Sequence, residues 1–426
     1  MQIGLKGQGV KRQIRMILSF LLVVAFADGA LGAEQEPNRL LIVKDYLEYA
    51  EAHNAGIKSS YQQWQAAVEE VPQAKALPDP QVSYDYWTKQ SDSQMKQTLG
   101  VMQMFPWFGK IDARTDAAIK SAEAAQQRYQ AARLSLFKEV KEGFYEFVFL
   151  ARATDIAIEN LELFKHFEEV ARTKHLTMEA GHPDVIRAQV EIAKMEDVLR
   201  GLKQLREPTV SRLRTALTLP AETNLPWPRA EEFNVAEIDN EQLVNLLRQK
   251  NPELASLTYE QMAAKSRIAL AEKNFYPDIG VGVMWENMDS PGGRDGVAMV
   301  FQMNLPLWRD SYRAGVRQAQ AQKASIEQQK VDTENVLLTK AAQAHYEYRD
   351  SIRKIRLYRD MLIPKGKELL QASETAYRGG TIDFLSLIDA QRMLLDYHLS
   401  YERATADNRQ KLAELEMLVG TELDSR

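Results

Sequence analysis

The chain has 426 residues, 45% of them hydrophobic and 27% charged, with a formal net charge of −5. That acidic balance argues against a nucleic-acid binder, which needs a basic stripe. There is no cysteine, so disulfides, thiolate metal ligands and a lipid anchor on an N-terminal cysteine are excluded.

Residues 1–33 read as a secretory signal. Lys6, Lys11, Arg12 and Arg15 precede an apolar run at 16–27, and Ala30, Gly32 and Ala33 offer small side chains for cleavage. The run is short for a bilayer span, and no other stretch of about 18 apolar residues follows. A chain exported in this way is soluble in the periplasm, secreted, or a β-structure of the outer membrane.

After Pro37 the apolar spacing predicts a helix over 40–71, ended by Pro72, Pro78 and Pro80. A strand follows at 81–89, with Val82, Tyr84 and Tyr86 on one face and Ser83, Asp85 and Lys89 on the other. A polar turn at 91–97 leads into a second strand at 98–105, which meets the corner Phe105-Pro106-Trp107-Phe108-Gly109. Each strand is about the length a tilted strand needs to cross a bilayer, although soluble hairpins reach it too.

From Lys110 to about Glu179 there is no proline. Phe137, Val140, Phe144, Phe147, Ala151, Thr154, Ile158 and Leu161 alternate spacings of three and four, the period of helices packed side by side. At 1.5 Å per residue such a helix is roughly 100 Å long. Gly181-His182-Pro183-Asp184 ends it, Asp184 is expected to cap a returning helix that reaches Leu217, and Pro208 is expected to kink or split that helix. Three prolines, Pro220, Pro226 and Pro228, mark a linker.

The order then repeats. A helical pattern over 241–274 leads to Tyr276-Pro277-Asp278, a strand at 279–287, an open turn at 289–296 and a strand at 297–305 that meets Pro306 and Trp308. A second long helix is expected over 312–378, with Leu338, Ala341, His345, Tyr348, Ile352 and Ile355 at the same spacing and a bend at Pro364. Gly379-Gly380 closes it, and a last helix runs over 383–419. Asn54 and Asn251 are 197 residues apart, Pro106 and Pro306 are 200 apart, and Gly181/Gly380 and Asp184/Asp383 are each 199 apart. Matching landmarks in one order imply a duplication: a signal at 1–33, a first repeat at 34–220, a linker at 221–240 and a second repeat at 241–426.

Four strands cannot close a barrel, and an open sheet edge cannot face lipid because its backbone groups would lack partners. Strands in a membrane therefore require several chains to share one barrel, and three chains give twelve strands. The expected fold is an α+β membrane protein: a long periplasmic α-helical barrel on a transmembrane β-barrel shared by a trimer, four strands per chain.

At this point the residues resemble a family. Gln103-Met104-Phe105-Pro106-Trp107-Phe108-Gly109-Lys110, Asn304-Leu305-Pro306-Leu307-Trp308, Ala376-Tyr377-Arg378-Gly379-Gly380-Thr381, then Asp383 and Asp389-Ala390-Gln391, look like the TolC family of outer-membrane efflux proteins. The FPWFGK corner is similar to members grouped with heavy-metal exporters. The resemblance implies a homotrimer in outer-membrane lipid, working as a passive duct. Its inner end would dock a periplasmic adaptor protein and an inner-membrane transporter.

Three groups of residues follow as site expectations. Gly181, Asp184, Arg378, Gly379 and Gly380 lie at two helix tips that the resemblance turns toward the adaptor; ordinary helix caps would also account for them. Asp389, with Asp383 and Ser386 near it on the last helix, would line a constriction, where three copies of Asp389 would repel one another. An exposed helix aspartate is the plainer account. Phe105, Pro106, Trp107, Phe108, Pro306 and Trp308 form corners suited to the headgroup zone or to packing at a strand–helix bend. No cofactor, metal cluster or catalytic constellation is read from the sequence, and a soluble periplasmic coiled-coil scaffold is the alternative.

Overall fold

The structure is a computed structural model and describes residues 40–87, 95–178, 181–229, 238–288 and 294–423. The expected signal and parts of the linker and of both strand turns lie outside the described residues. Two helices, α1 (Val43–His53) and α2 (Ala55–Lys75), precede strands β1 (Gln81–Tyr86) and β2 (Met95–Phe105). Helix α3 (Lys110–Leu176) and the returning α4 (His182–Leu217) complete the first half. The second half repeats this with α5 (Asn240–Lys250), α6 (Pro252–Lys273), β3 (Ile279–Met288), β4 (Gly296–Met303), α7 (Arg309–Leu357), α8 (Ile363–Arg378) and α9 (Phe384–Val419). A π-helical turn, Tyr358–Leu362, joins α7 to α8 and sets Pro364 in the first turn of α8, where its missing N–H costs nothing.

Five features differ from the sequence reading. The helix expected over 40–71 is two helices that part at Asn54, and the one expected over 241–274 parts at Asn251. Both asparagines cap the helix that follows: the Asn54 side chain accepts from Ile57 N, and that of Asn251 from Glu253 N and Leu254 N. Each also donates to a carbonyl at the end of its own repeat, Ala216 O and Leu418 O, both at 2.8 Å. Pro72 does not end α2, which continues to Lys75. Pro208 does not split α4, which is one helix from His182 to Leu217. The cap of α4 is Gly181 rather than Asp184, with Pro183 inside the first turn, where a missing N–H is tolerated.

The long helix α3 has 67 residues and packs against α2, α4, α6 and α9. Its buried stripe runs through Val140, Phe144, Phe147, Thr154, Leu161 and Phe164, at steps of three, four and seven, with Phe137 and Ala151 of the expected series only half-buried. Ile158 departs from it and is exposed; Ala153 and Ala157 take the buried positions beside it. The apolar core divides into three clusters. One lies around Tyr46, Phe144 and Leu213, and its counterpart in the second half lies around Leu243, Tyr348 and Leu415. The third, near the helix tips, draws on both halves: Phe164, Phe167 and Val185 meet Tyr377, Phe384 and Leu387. No described helix is long and apolar enough to cross a membrane.

The four strands form one antiparallel sheet in the order β1-β2-β3-β4. The central pair, β2 and β3, is the junction between the two halves: Phe105 stands opposite Ile279, Val101 opposite Val283 and Leu99 opposite Trp285. β1 and β4 are open edges.

Candidate functional site

Two features stand out from the rest of the molecule, one at each end of the long helices. The first is the sheet. Registers place Val82, Tyr84 and Tyr86 beside Val101, Leu99 and Gln97, then Val283 and Trp285, then Met299 and Val297. These residues share one face, and the apolar ones are not covered: Val82 is 70% exposed, Phe301 71% and Met299 69%. The opposite face is mixed: it carries Ser83, Asp85, Thr98, Gly100, Gly280, Gly282, Glu286 and Gln302, with Met102, Met104, Met284, Ala298 and Val300 among them. There Thr98 donates to the Asp85 carboxylate at 3.1 Å. An apolar face left bare is the inverse of a soluble sheet packed on a core.

The corners sit at the foot of this sheet. Phe108 and Trp308 are more than 80% exposed. Trp107 is not: its ring stacks on Tyr276 at 5.5 Å, and its backbone N–H donates to Asp278 at 2.9 Å. Asp278 also accepts from the Lys110 ammonium at 2.7 Å, which in turn donates to Tyr276 O. Pro106 directly follows the end of β2, and Pro306 lies three residues past the end of β4. The first corner is thus fastened to the start of β3; at the second, Leu307 N turns back on Leu305 O, and Asn304 exchanges bonds with Asp278, accepting from Asp278 N and donating its own N–H to Asp278 O.

The second feature is the pair of tips. Helix α3 ends in Thr177 and Met178, the latter with φ of 61°, and residues 179–180 lie outside the description. Leu176 and Met178 are 78% and 95% exposed. Helix α8 ends at Arg378; Gly380 takes φ of 73°, which glycine adopts without strain, and Thr381 N closes the turn on Ala376 O. The tips are tied to each other. Lys174 donates to Arg378 O and lies over the Tyr377 ring, and Tyr377 packs on Phe384 at 5.2 Å. Burial, with Asp184 nearby, lifts the Tyr377 hydroxyl to about 12.

The acidic residues read from the sequence have distinct surroundings. Asp383 caps α9, accepting from Ser386 N at 3.0 Å and from the Ser386 hydroxyl at 2.5 Å. Those bonds hold its carboxyl below the usual range. Asp184 is raised, mainly by burial and further by Asp383, with Arg187 opposing. Asp389 is half exposed and takes a hydrogen bond from Arg392 at 3.1 Å. Arg392 reaches across to Glu191 of α4 with two more bonds, at 2.5 and 3.0 Å. Those bonds hold the Glu191 carboxyl low against the opposing effect of burial. Next to Arg392 on α9, Gln391 donates to Asn160 of α3 inside the packed core. The bridge from α9 to α4 through Arg392 was absent from the sequence reading, because nothing local marks Glu191 and Arg392 as partners 201 residues apart.

The profile of the outer membrane efflux protein family matches residues 46–218 and again 243–421. The chain belongs to the outer membrane efflux protein family. Among similar proteins of this kind, the cobalt-zinc-cadmium resistance protein CzcC of Cupriavidus metallidurans is 20% identical over 89% of this chain and 90% of its own. The pyoverdine export outer membrane protein OpmQ of Pseudomonas putida is 22% identical over 74% of this chain and 66% of its own. Of solved structures, the outer-membrane channel OprN superposes with a TM-score of 0.75 at 18% identity, covering 89% of each chain. Family membership makes this outer membrane efflux protein an efflux channel of the outer membrane, and the likeness to OprN gives its fold. The soluble-scaffold alternative is not favoured by either finding.

Proposed function

We propose that three copies of the chain close a twelve-stranded barrel in the outer membrane, continued by their long helices as a tunnel through the periplasm. The observation that carries this is the sheet: an apolar face bare across four strands, bounded by two unpaired edges. The apolar face suits lipid, but the open edges do not survive there unless they find partners. An even number of antiparallel strands per chain lets copies join end to end. The duct has no chemistry of its own in this reading. Phe105, Phe108 and Trp308 sit in the headgroup zone, while Trp107, Pro106 and Pro306 shape the two corners.

At the other end, Gly181, Asp184, Arg378, Gly379 and Gly380 form the surface offered to a periplasmic adaptor, joined by the exposed Leu176 and Met178. An inner-membrane transporter supplies the energy. We assign Asp389 to the constriction, with Asp383 and Ser386 fixing the start of α9 one turn above it. The similarity to CzcC favours metal cations as cargo, and the similarity to OpmQ favours an organic chelate; the sheet and tips suit either. The signal at 1–33, the linker at 221–240 and the repeats on either side are part of the same proposal. Reconstitution into planar bilayers tests the duct: conducting channels from a heat-sensitive trimer are expected, and a non-conducting protein recovered from the soluble fraction would overturn it.

A further inference from the structure

The turn between α3 and α4 brings two histidines together. His175 stands in the last turn of α3 and His182 is the first residue of α4. Their ring centroids are 5.3 Å apart, with the planes tilted by 42°, and both side chains are exposed. We infer that this pair binds one divalent cation of the zinc and copper class, held by one nitrogen of each imidazole and completed by water.

The separation is the first support. Two imidazoles on one tetrahedral ion, with metal–nitrogen bonds of about 2.0–2.1 Å, have centroids roughly 5 Å apart. Rotation of two exposed side chains aims a nitrogen of each at a shared ion, and neither helix has to move. Other histidines are placed differently. His53 lies flat on Tyr49 and bonds to Tyr49 O, and His345 is buried on Ile238 O. His166 shares α3 with His175 but lies beside Phe167.

The duplication supplies the second support, because the pair is not needed to build a tip. At the offset of 199 that relates Gly181 to Gly380, His175 corresponds to Glu374 and His182 to Thr381. There Glu374 pairs with Arg378, and the Thr381 hydroxyl donates to Ala376 O. One tip thus carries two imidazoles where its duplicate carries ordinary closures of a helix end. Nearby positive charges are drawn to acceptors of their own: Arg172 to Glu168, Arg187 to Asp184 and Lys174 to Arg378 O. The donors also choose the ion. Imidazole suits zinc, copper and nickel, whereas magnesium and calcium require oxygen ligands. A bound ion ties the last turn of α3 to the first turn of α4 beside Gly181 and Asp184, however the copies of the chain assemble.

Zinc chloride titrated calorimetrically into the full-length, detergent-solubilised protein tests this, with the protein prepared without a polyhistidine tag. Binding of one ion per chain is expected. His175→Gln and His182→Gln are each expected to weaken it by about tenfold or more, the scale reached when even an outer partner of a metal ligand is lost. His166→Gln is expected to leave it unchanged. With Cu2+ as the probe, the electron paramagnetic resonance spectrum is expected to show coupling to two imidazole nitrogens, and to one in either single variant. Both positions are on the surface, and an unchanged melting midpoint without metal verifies that the variants are folded. Zinc affinity retained in the double variant, a loss caused by only one of the two histidines, or no zinc binding by the parent chain would each overturn the site.

Discussion

The Lys110 ammonium and the Asp278 carboxylate meet at 2.7 Å across the junction of the two halves, both largely withdrawn from solvent. One aspartate oxygen collects this cation and the Trp107 N–H together, so it ties the end of β2 and the start of α3 to the approach of β3. Removing one partner strands the other. Lys110→Met is expected to cost about 2–3 kcal/mol, below the figure for a fully buried pair because Asp278 keeps some contact with water. Thermal denaturation of the detergent-solubilised protein reads this, and Arg128→Ala, which breaks a more exposed pair, is expected to cost under about 1 kcal/mol.

Asn54 and Asn251 perform one task twice, each capping a helix and holding the far end of its own repeat. Asn54→Ala and Asn251→Ala are each expected to destabilise by about 1–2 kcal/mol, measured by unfolding midpoints. The second is the larger of the two, since Asn251 is 5% exposed and its lost bonds are not replaced by water.

Two glycines with nearly the same backbone angle separate strain from crowding. Gly420 has φ of 78°, and a Cβ there would lie 2.4 Å from Lys250 O; Gly380 has φ of 73° with nothing within 4 Å. Gly380→Ala is expected to cost about 1 kcal/mol from backbone strain alone. Gly420→Ala is expected to cost more than twice that, because the chain end must shift away from α5. Equal losses would show that the contact yields freely.

The Arg392 bridge gives the tips a pH signature. Glu191 is held low by Arg392, so the linkage has a definite sign: its contribution is present above the ordinary carboxylate range, near pH 4, and is lost only as pH falls through the depressed value. Bilayer conductance is therefore expected to stay constant from neutral pH to about 5 and to rise only under stronger acid. Arg392→Ala is expected to raise it at neutral pH, and Asp389→Asn to alter cation block with a smaller effect on the tip contacts. Unchanged cation block would remove Asp389 from the constriction.

Much of this architecture was legible in the chain. The spacing of three and four along α3 and α7 and the repeated proline corners gave the long helices, the four strands and the duplication. What the sequence hid was the partnering across large separations. One helix was expected to run through Asn54, because its capping role and its bond to Ala216 O depend on groups that only the fold brings near. Pro208 read as a breaker, yet tertiary contacts of Val210, Leu213 and Leu217 hold α4 continuous through it. Trp107 and Phe108 are adjacent and chemically alike, but one stacks on Tyr276 while the other faces out, a difference set by the strand register.

The central claim is that one chain supplies a third of a membrane barrel. Mass measurement of the intact protein released from outer membranes in mild detergent addresses it most directly. The account predicts a species of three chains that dissociates to single chains on heating. A single chain in mild detergent would contradict it.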